Sequence, residues 1–216
     1  SADRMDIMEI KGETDGSVET VEFIVLPESV KIIGEKAFAE SEKLRQVRAT
    51  GVETIDTSAF MLCESLESIE GNNIKNIGSY AFYGCPVLKY IDFSKAEKIE
   101  SCAFESALSI TSVVSDTLSD VSGTAFRESG IRIVDVPNMK KIDVSTFYGC
   151  ELLEKVNAPL VTAINNDAFN GCSALIEINA ENLESVGRYS FLNCSSLEEI
   201  NFPKLKDFGG LGLETS

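Results

Sequence analysis

The residues in this 216-residue chain best suited to chemistry are its six cysteines, and five of them keep a register. Cys63, Cys85, Cys150, Cys172 and Cys194 are separated by 22, 65, 22 and 22 residues, whereas Cys102 stands apart. Thiols that bind zinc converge tetrahedrally from short C-x-x-C spacings. A spacing of 22 draws instead a straight ladder if each 22 residues return the chain to the same place. Neighbouring rungs of such a ladder approach disulfide distance, but their side-chain vectors run parallel, which opposes disulfide geometry. Ser41, Ala107 and Ser129 fill the same position in other copies, so a small buried residue under a chain corner is the third reading. Reduced, inert thiols are expected, with Cys102 the most exposed of them.

Other chemistries lose a member at once. Histidine is absent, which removes Ser-His-Asp and Cys-His nucleophile systems, imidazole ligands and imidazole acid–base catalysis. No phosphate-cradling glycine loop, serine nucleophile motif or D-x-D-x-D-G calcium loop is found. An enzyme is therefore not expected, and neither a cofactor nor a metal is. The net charge of −16, from 19 basic and 35 acidic residues, opposes nucleic-acid or anionic-membrane binding. The sequence holds no apolar run of membrane-spanning length, and residues 1–20 carry neither a basic start nor an apolar stretch, so no membrane insertion or targeting segment is expected.

What must position the cysteines is a repeat. Phe38, Phe60, Phe82, Phe104, Phe126, Phe147, Phe169 and Phe191 follow one another at 22, 22, 22, 22, 21, 22 and 22 residues. Five before each stands Ile33, Ile55, Ile77, Ile99, Val121, Ile142, Ile164 or Val186. After each come two aliphatic positions three apart, as in Leu88 and Ile91. The unit reads I-x-x-x-A-F-x-x-C-x-x-L-x-x-I, one residue short in the fifth copy. One coil cannot bury its own apolar side, so stacking of coils has to remove these columns from water. The alternation in Leu88-Lys89-Tyr90-Ile91-Asp92-Phe93 predicts a strand. Counting an earlier one at Val21–Leu26, nine parallel strands are expected on one face, with short helical or irregular segments on the other. The expected organisation is a cap over residues 1–20, read as a β-hairpin around Thr14–Ser17, a solenoid of eight full repeats over 21–207, and a degenerate repeat or cap over 208–216.

The residues Ile77-Gly78-Ser79-Tyr80-Ala81-Phe82-Tyr83-Gly84-Cys85-Pro86-Val87-Leu88-Lys89-Tyr90-Ile91, with Pro27–Gly34 before the first full unit, closely resemble the BspA-like (treponemal-type) leucine-rich repeat family over Val21 to Leu213. The resemblance implies an α/β leucine-rich repeat solenoid, right-handed, with a parallel sheet on one face. It also implies a cell-surface or secreted protein, for members are mostly such proteins of bacteria and some protists, associated with adhesion to host proteins or other cells. The family motif carries no catalytic residue. Substitutions of the cysteine and the shortened fifth unit put coil shape in question around residues 105–138.

Outward positions on the strands are where a partner would meet such a fold. Tyr90, Val114 and Ile133, with Arg132 beside them, read either as an aromatic-plus-arginine anchor of the kind enriched at interfaces or as isolated surface apolar residues. Asp92 and Asp135 flank them, and Glu177 and Glu199 make the far end acidic: a solvated face, or one for a basic partner or calcium. Tyr80, Tyr83, Tyr148 and Tyr189 read as edge cover or a second contact surface, and Asn193-Cys194-Ser195 is a formal glycosylation sequon. The expected activity is non-enzymatic protein binding by a monomer, with a host matrix or plasma protein as the partner that the resemblance implies. The alternative is a spacer or stalk segment with no ligand of its own.

Overall fold

The structure, a computed structural model, describes residues 21–210 and the strand Glu9–Ile10. Each repeat is one coil with three hydrogen-bonded sides. The front side is built of β2 (Phe23–Val25), β4 (Gln46–Arg48), β6 (Ser68–Glu70), β8 (Tyr90–Ile91), β10 (Ser112–Val114), β12 (Ile133–Asp135), β14 (Lys155–Asn157) and β16 (Glu177–Asn179). The back side is built of β1 (Glu9–Ile10), β3 (Ile32–Ile33), β5 (Thr54–Ile55), β7 (Asn76–Ile77), β9 (Lys98–Ile99), β11 (Asp120–Val121), β13 (Lys141–Ile142), β15 (Ala163–Ile164), β17 (Ser185–Val186) and β18 (Asp207–Phe208). All pairing is parallel and in register, for example Val47↔Ile69 and Ile55↔Ile77. The reason is the period: apolar residues 22 apart can share one interior only if each coil lies directly on the last.

The third side carries the phenylalanines. It contains no α-helix among the described residues, so of the two expected forms, short helical or irregular, it takes the non-helical one, as a regularly repeated turn. In every coil the residues two before and two after the phenylalanine take a left-handed backbone, with φ between 54° and 82°. Alternate N–H groups therefore point along the stack. Ser58, Phe60 and Leu62 each donate to a carbonyl of the next coil at 2.8 Å, while Ala59, Met61 and Cys63 close four-residue turns within their own coil at 3.1–3.2 Å. This satisfies the backbone of a buried corner without a helix or strand. The eight phenylalanine rings stack along it with centroids 5.1–5.7 Å apart and planes within 17°.

Two expectations need correction. The front carries eight strands, not nine, because the segment around Ile200 forms none. Nor is there one continuous sheet. The front divides into β2-β4-β6-β8 and β10-β12-β14-β16, and the back into β1-β3-β5-β7-β9-β11 and β13-β15-β17-β18. At the N-terminal end Glu9–Ile10 adds in parallel to β3. The expected hairpin turn at Thr14–Ser17 lies outside the described residues, as does Leu213 of the degenerate last unit. At the last described strand Phe208 takes the isoleucine register opposite Val186 and is 38% exposed.

Candidate functional site

Burial settles what the ladder cysteines do. Each thiol lies beneath the phenylalanine edge and donates to the carbonyl of a phenylalanine in the preceding coil: Cys63 to Phe38 at 2.9 Å, Cys85 to Phe60 at 3.0 Å, Cys150 to Phe126 at 2.9 Å, and Cys172 and Cys194 to Phe147 and Phe169 at 3.1 Å. Loss of water disfavours the thiolate, pushing Cys63 and Cys194 up to about 12 and Cys150 to about 11, with Cys85 and Cys172 raised for the same reason. All six cysteines are free. A thiolate being the nucleophile and the ligand, these sulfurs are poor at either task. Cys102 is the most exposed of the six, yet at 9% it too is buried, facing the Thr124 hydroxyl at 3.1 Å. No group of three or more Cys, Asp or Glu placed to hold a metal ion occurs among the described residues.

The front strands place the predicted outward residues. Their middle residues point inward and are buried from Val47 to Val156, so the flanking residues form two outward columns. One column runs Phe23, Gln46, Ser68, Tyr90 and, after the sheet break, Ser112, Ile133, Lys155, Glu177. The other runs Val25, Arg48, Glu70, then Val114, Asp135, Asn157, Asn179. Tyr90, Val114 and Ile133 are 54%, 53% and 45% exposed. Ser112 stands between Tyr90 and Ile133, and Val114 occupies the other column, diagonal to Ile133. The apolar residues thus face one way without touching in a single row.

The charged candidates are engaged locally. Arg132 precedes Ile133 and turns its guanidinium onto the Glu154 carboxylate of the next coil. Asp92 accepts the Ser94 N–H at 2.8 Å, closing the turn that follows its strand. Asp135 accepts the Asn157 side-chain amide at 2.7 Å, and Asn157 accepts that of Asn179 at 2.8 Å, an amide ladder along the column. Glu177 pairs with Lys155 at 3.0 Å. Glu199 is exposed but lies beyond the last front strand. Further charges alternate from coil to coil: Glu67 lies between Arg45 at 2.5 Å and Lys89 at 3.7 Å, and its carboxyl is held below the usual carboxylate range, chiefly by the Arg45 hydrogen bond.

Two front-face residues escaped the sequence reading. Phe23 and Val25 are 47% and 55% exposed, and the Arg48 guanidinium carbon lies 5.9 Å from the Phe23 ring centroid while its Nε donates to Glu70 at 3.1 Å. Phe23-Ile24-Val25 is apolar throughout, so alternation gave no sign. The signal lay in the register, which aligns Ile24 with the buried Val47 and so turns its neighbours outward. Between Arg48 and Tyr90 runs a groove of about 530 Å³ with Ser68 and Gly71 in its lining. On the phenylalanine edge, Tyr80 meets Tyr83 edge-to-face at 5.7 Å, and Arg127 and Arg188 lie over Tyr148 and Tyr189 at 5.1 and 5.5 Å. The sequon residue Asn193 is exposed, but Cys194 within it is tied into the core.

Comparison with known proteins agrees with this geometry. The fold is shared with a leucine rich cell surface protein of Faecalibacterium prausnitzii A2-165, at 21% identity over 88% of this chain and 60% of that one, with a TM-score of 0.51. It is shared also with a leucine rich repeat protein of T. pallidum, at 24% identity over 82% of this chain and 78% of that one, TM-score 0.59. The chain therefore spans about three-fifths of the length of the first of these. No curated protein matches the sequence. No helix among the described residues is long and apolar enough to cross a membrane. The family model for the BspA type leucine rich repeat region matches six copies over residues 16–132 and 97–210, and with every coil built on that unit the chain belongs to the BspA-type leucine-rich repeat family.

Proposed function

We propose that this chain is a non-enzymatic protein-binding module of a cell-surface or secreted protein, and that its partner, a host or cell-surface protein, lies on the front face. The observation that carries the reading is the exposure of Phe23, Val25, Tyr90, Val114 and Ile133 on one side of a fold that otherwise buries its repeated apolar columns. Large apolar and aromatic groups with arginine beside them are the composition of interface anchors. Ile133 lies on a strand paired on both sides and the other four lie on strands paired on one side, so each is held by at least one backbone ladder and binding would come from many modest contacts. Membership of a family of surface proteins and the fold of a bacterial cell-surface protein support the location.

The test is a binding screen of the purified chain against immobilised matrix, plasma and cell-surface proteins, beside a Tyr90→Glu, Ile133→Glu double variant. Both sites are exposed, so the variant should keep its circular dichroism and lose saturable binding at least tenfold. Binding that survives the variant would move the partner off this face. Silence across the screen for both proteins would favour a spacer segment.

A further inference from the structure

We propose that the coils carrying Phe104 and Phe126 form a built-in joint, at which the two halves of the solenoid flex about the phenylalanine edge. The two sheet breaks are staggered around these coils. On the front the break falls between β8 and β10, and on the back between β11 and β13. The Phe104 and Phe126 coils therefore pair forward through β10 and β12 but backward through β9 and β11. Each half of the molecule grips the joint through one sheet only.

Each break coincides with a local departure from the repeat. After the front strand most coils carry a small residue, as at Ala49, Gly71, Ser115, Ala158 and Ala180. Before the front break stands Phe93, whose buried ring fills this position behind the strand and packs edge-on against Phe104 of the next coil at 5.4 Å. Among the described residues, neither Thr111 nor Ser112 donates its backbone N–H to Lys89, although Arg132 and Ile133, the same positions one coil on, donate to Thr111 at 2.8 and 3.2 Å. Side chains span the gap in their place: the Ser115 and Thr117 hydroxyls donate to the Ala96 carbonyl at 3.2 and 2.8 Å. The back break follows the coil that is one residue short. Its turn, Ser129-Gly130-Ile131, passes so close to the coil before it that a Cβ on Gly130 would overlap the Leu108 carbonyl oxygen. A coil with one residue fewer to go round keeps its front register and leaves β11 and β13 unpaired.

The phenylalanine edge is continuous across both breaks. Phe82, Phe104 and Phe126 donate to Ala103, Ala125 and Thr146 of the following coils at 2.8, 2.7 and 3.0 Å, and their rings stay stacked with the next at 5.1, 5.3 and 5.7 Å. A hinge is a place where a few residues absorb motion while the packing on either side stays intact. Two open seams on opposite faces joined along one intact edge have that form. In a fold whose stability is a sum over neighbouring coils, the motion concentrates where nearest-neighbour contacts are fewest.

Matched spin-label pairs test the joint. In a Cys102→Ser background, Gln46→Cys with Lys155→Cys spans five coils on the front, and Ala39→Cys with Tyr148→Cys spans the same five on the edge, each roughly 24 Å at about 4.8 Å per coil. In variants with native circular dichroism, the front distance distribution is expected to be at least twice as wide as the edge distribution. Equal widths, or a broader edge pair, would overturn the joint. Amide exchange on the unlabelled chain gives a second reading: Thr111 and Ser112 should exchange at least tenfold faster than Arg132 and Ile133, and equal protection would overturn the proposal.

Discussion

The phenylalanine edge and the front face are built by the same repeat, yet they treat its residues in opposite ways. Along the edge every coil repeats one ring, one pair of left-handed residues and, in five coils, one thiol-to-carbonyl hydrogen bond. Along the front the same two columns pass from Phe23 and Val25 through Arg48, Glu70 and Tyr90 to an Asp135-Asn157-Asn179 ladder. The difference lies in the solvent. A buried position between identical neighbours accepts one shape, because packing at crystal-like density leaves no room for another. An outward position asks only that the side chain stay clear of the coils above and below. Sameness therefore marks what holds the fold, and variety marks where one solenoid of this kind can differ from another.

Substitutions should reproduce that ranking. The largest effect is expected at the middle of the edge. Phe104 is fully buried between Phe82, Phe93 and Phe126, and Phe104→Ala should cost roughly 3–5 kcal/mol in denaturant unfolding. Phe191→Ala should cost less, because among the described residues only Phe202, at 6.1 Å and 29°, follows it in the stack. An equal loss at both would mean that the rings do not act through their neighbours.

A smaller effect is expected in the cysteine column. Cys85→Ala removes a buried donor and should cost about 1–2 kcal/mol, while Cys85→Ser keeps a donor aimed at the Phe60 carbonyl and should cost less. If serine were no better than alanine, the sulfur's hydrogen bond would contribute nothing. The same column sets an alkaline limit. The folded thiols titrate above their unfolded range, to about 12 for Cys63 and about 11 for Cys150, so the folded chain holds more protons between pH 9 and those values. Their stabilisation is complete below pH 9 and is lost as pH rises toward 12, which thermal melts at pH 8, 9.5 and 11 would register.

The least is expected on the outer charges. The Glu67 and Glu53 carboxyls are held below their usual range by Arg45 and Lys75. A depressed carboxyl stabilises above its unfolded pKa near 4.5 and loses that contribution as pH falls through the folded value. Tm measured from pH 6 to pH 3 should fall less in Glu67→Gln than in the parent, and the gap should shrink in 0.5 M salt because the pairs are exposed. A gap indifferent to salt would place the effect in packing instead.

The edge was legible in the sequence because a column that admits one residue repeats it. Phe38 to Phe191, the isoleucine column and the five thiols could be aligned by counting, and their burial followed from stacking. The front strands were legible up to Ile178 but not beyond. Ile200 keeps the spacing of a ninth strand, yet among the described residues it forms none, a difference the spacing does not record. The sheet breaks were hidden for another reason. The short fifth unit announces the back break, but the front break lies beside Phe93, between coils whose spacing is a regular 22, so the period does not record it. The corner without helix was equally silent, since left-handed positions occupied by Lys36, Leu62, Tyr80 or Thr124 carry no glycine signature. The front-face candidates could be placed by alternation, except Phe23 and Val25, where every residue of the strand is apolar.

The thiol ladder also sets a clock for folding. Each sulfur is covered once its coil settles on the one before, which closes a loop of about 25 residues, the separation of Cys85 from Phe60. Loops of that order close in well under a microsecond to microseconds, whereas disulfides form over seconds to hours. In a compartment that oxidises thiols, a chain that stacks coil by coil shelters its sulfurs long before they can pair. A chain held unfolded exposes all six, and there a repeat that aligns its cysteines so evenly offers many wrong partners at similar separations.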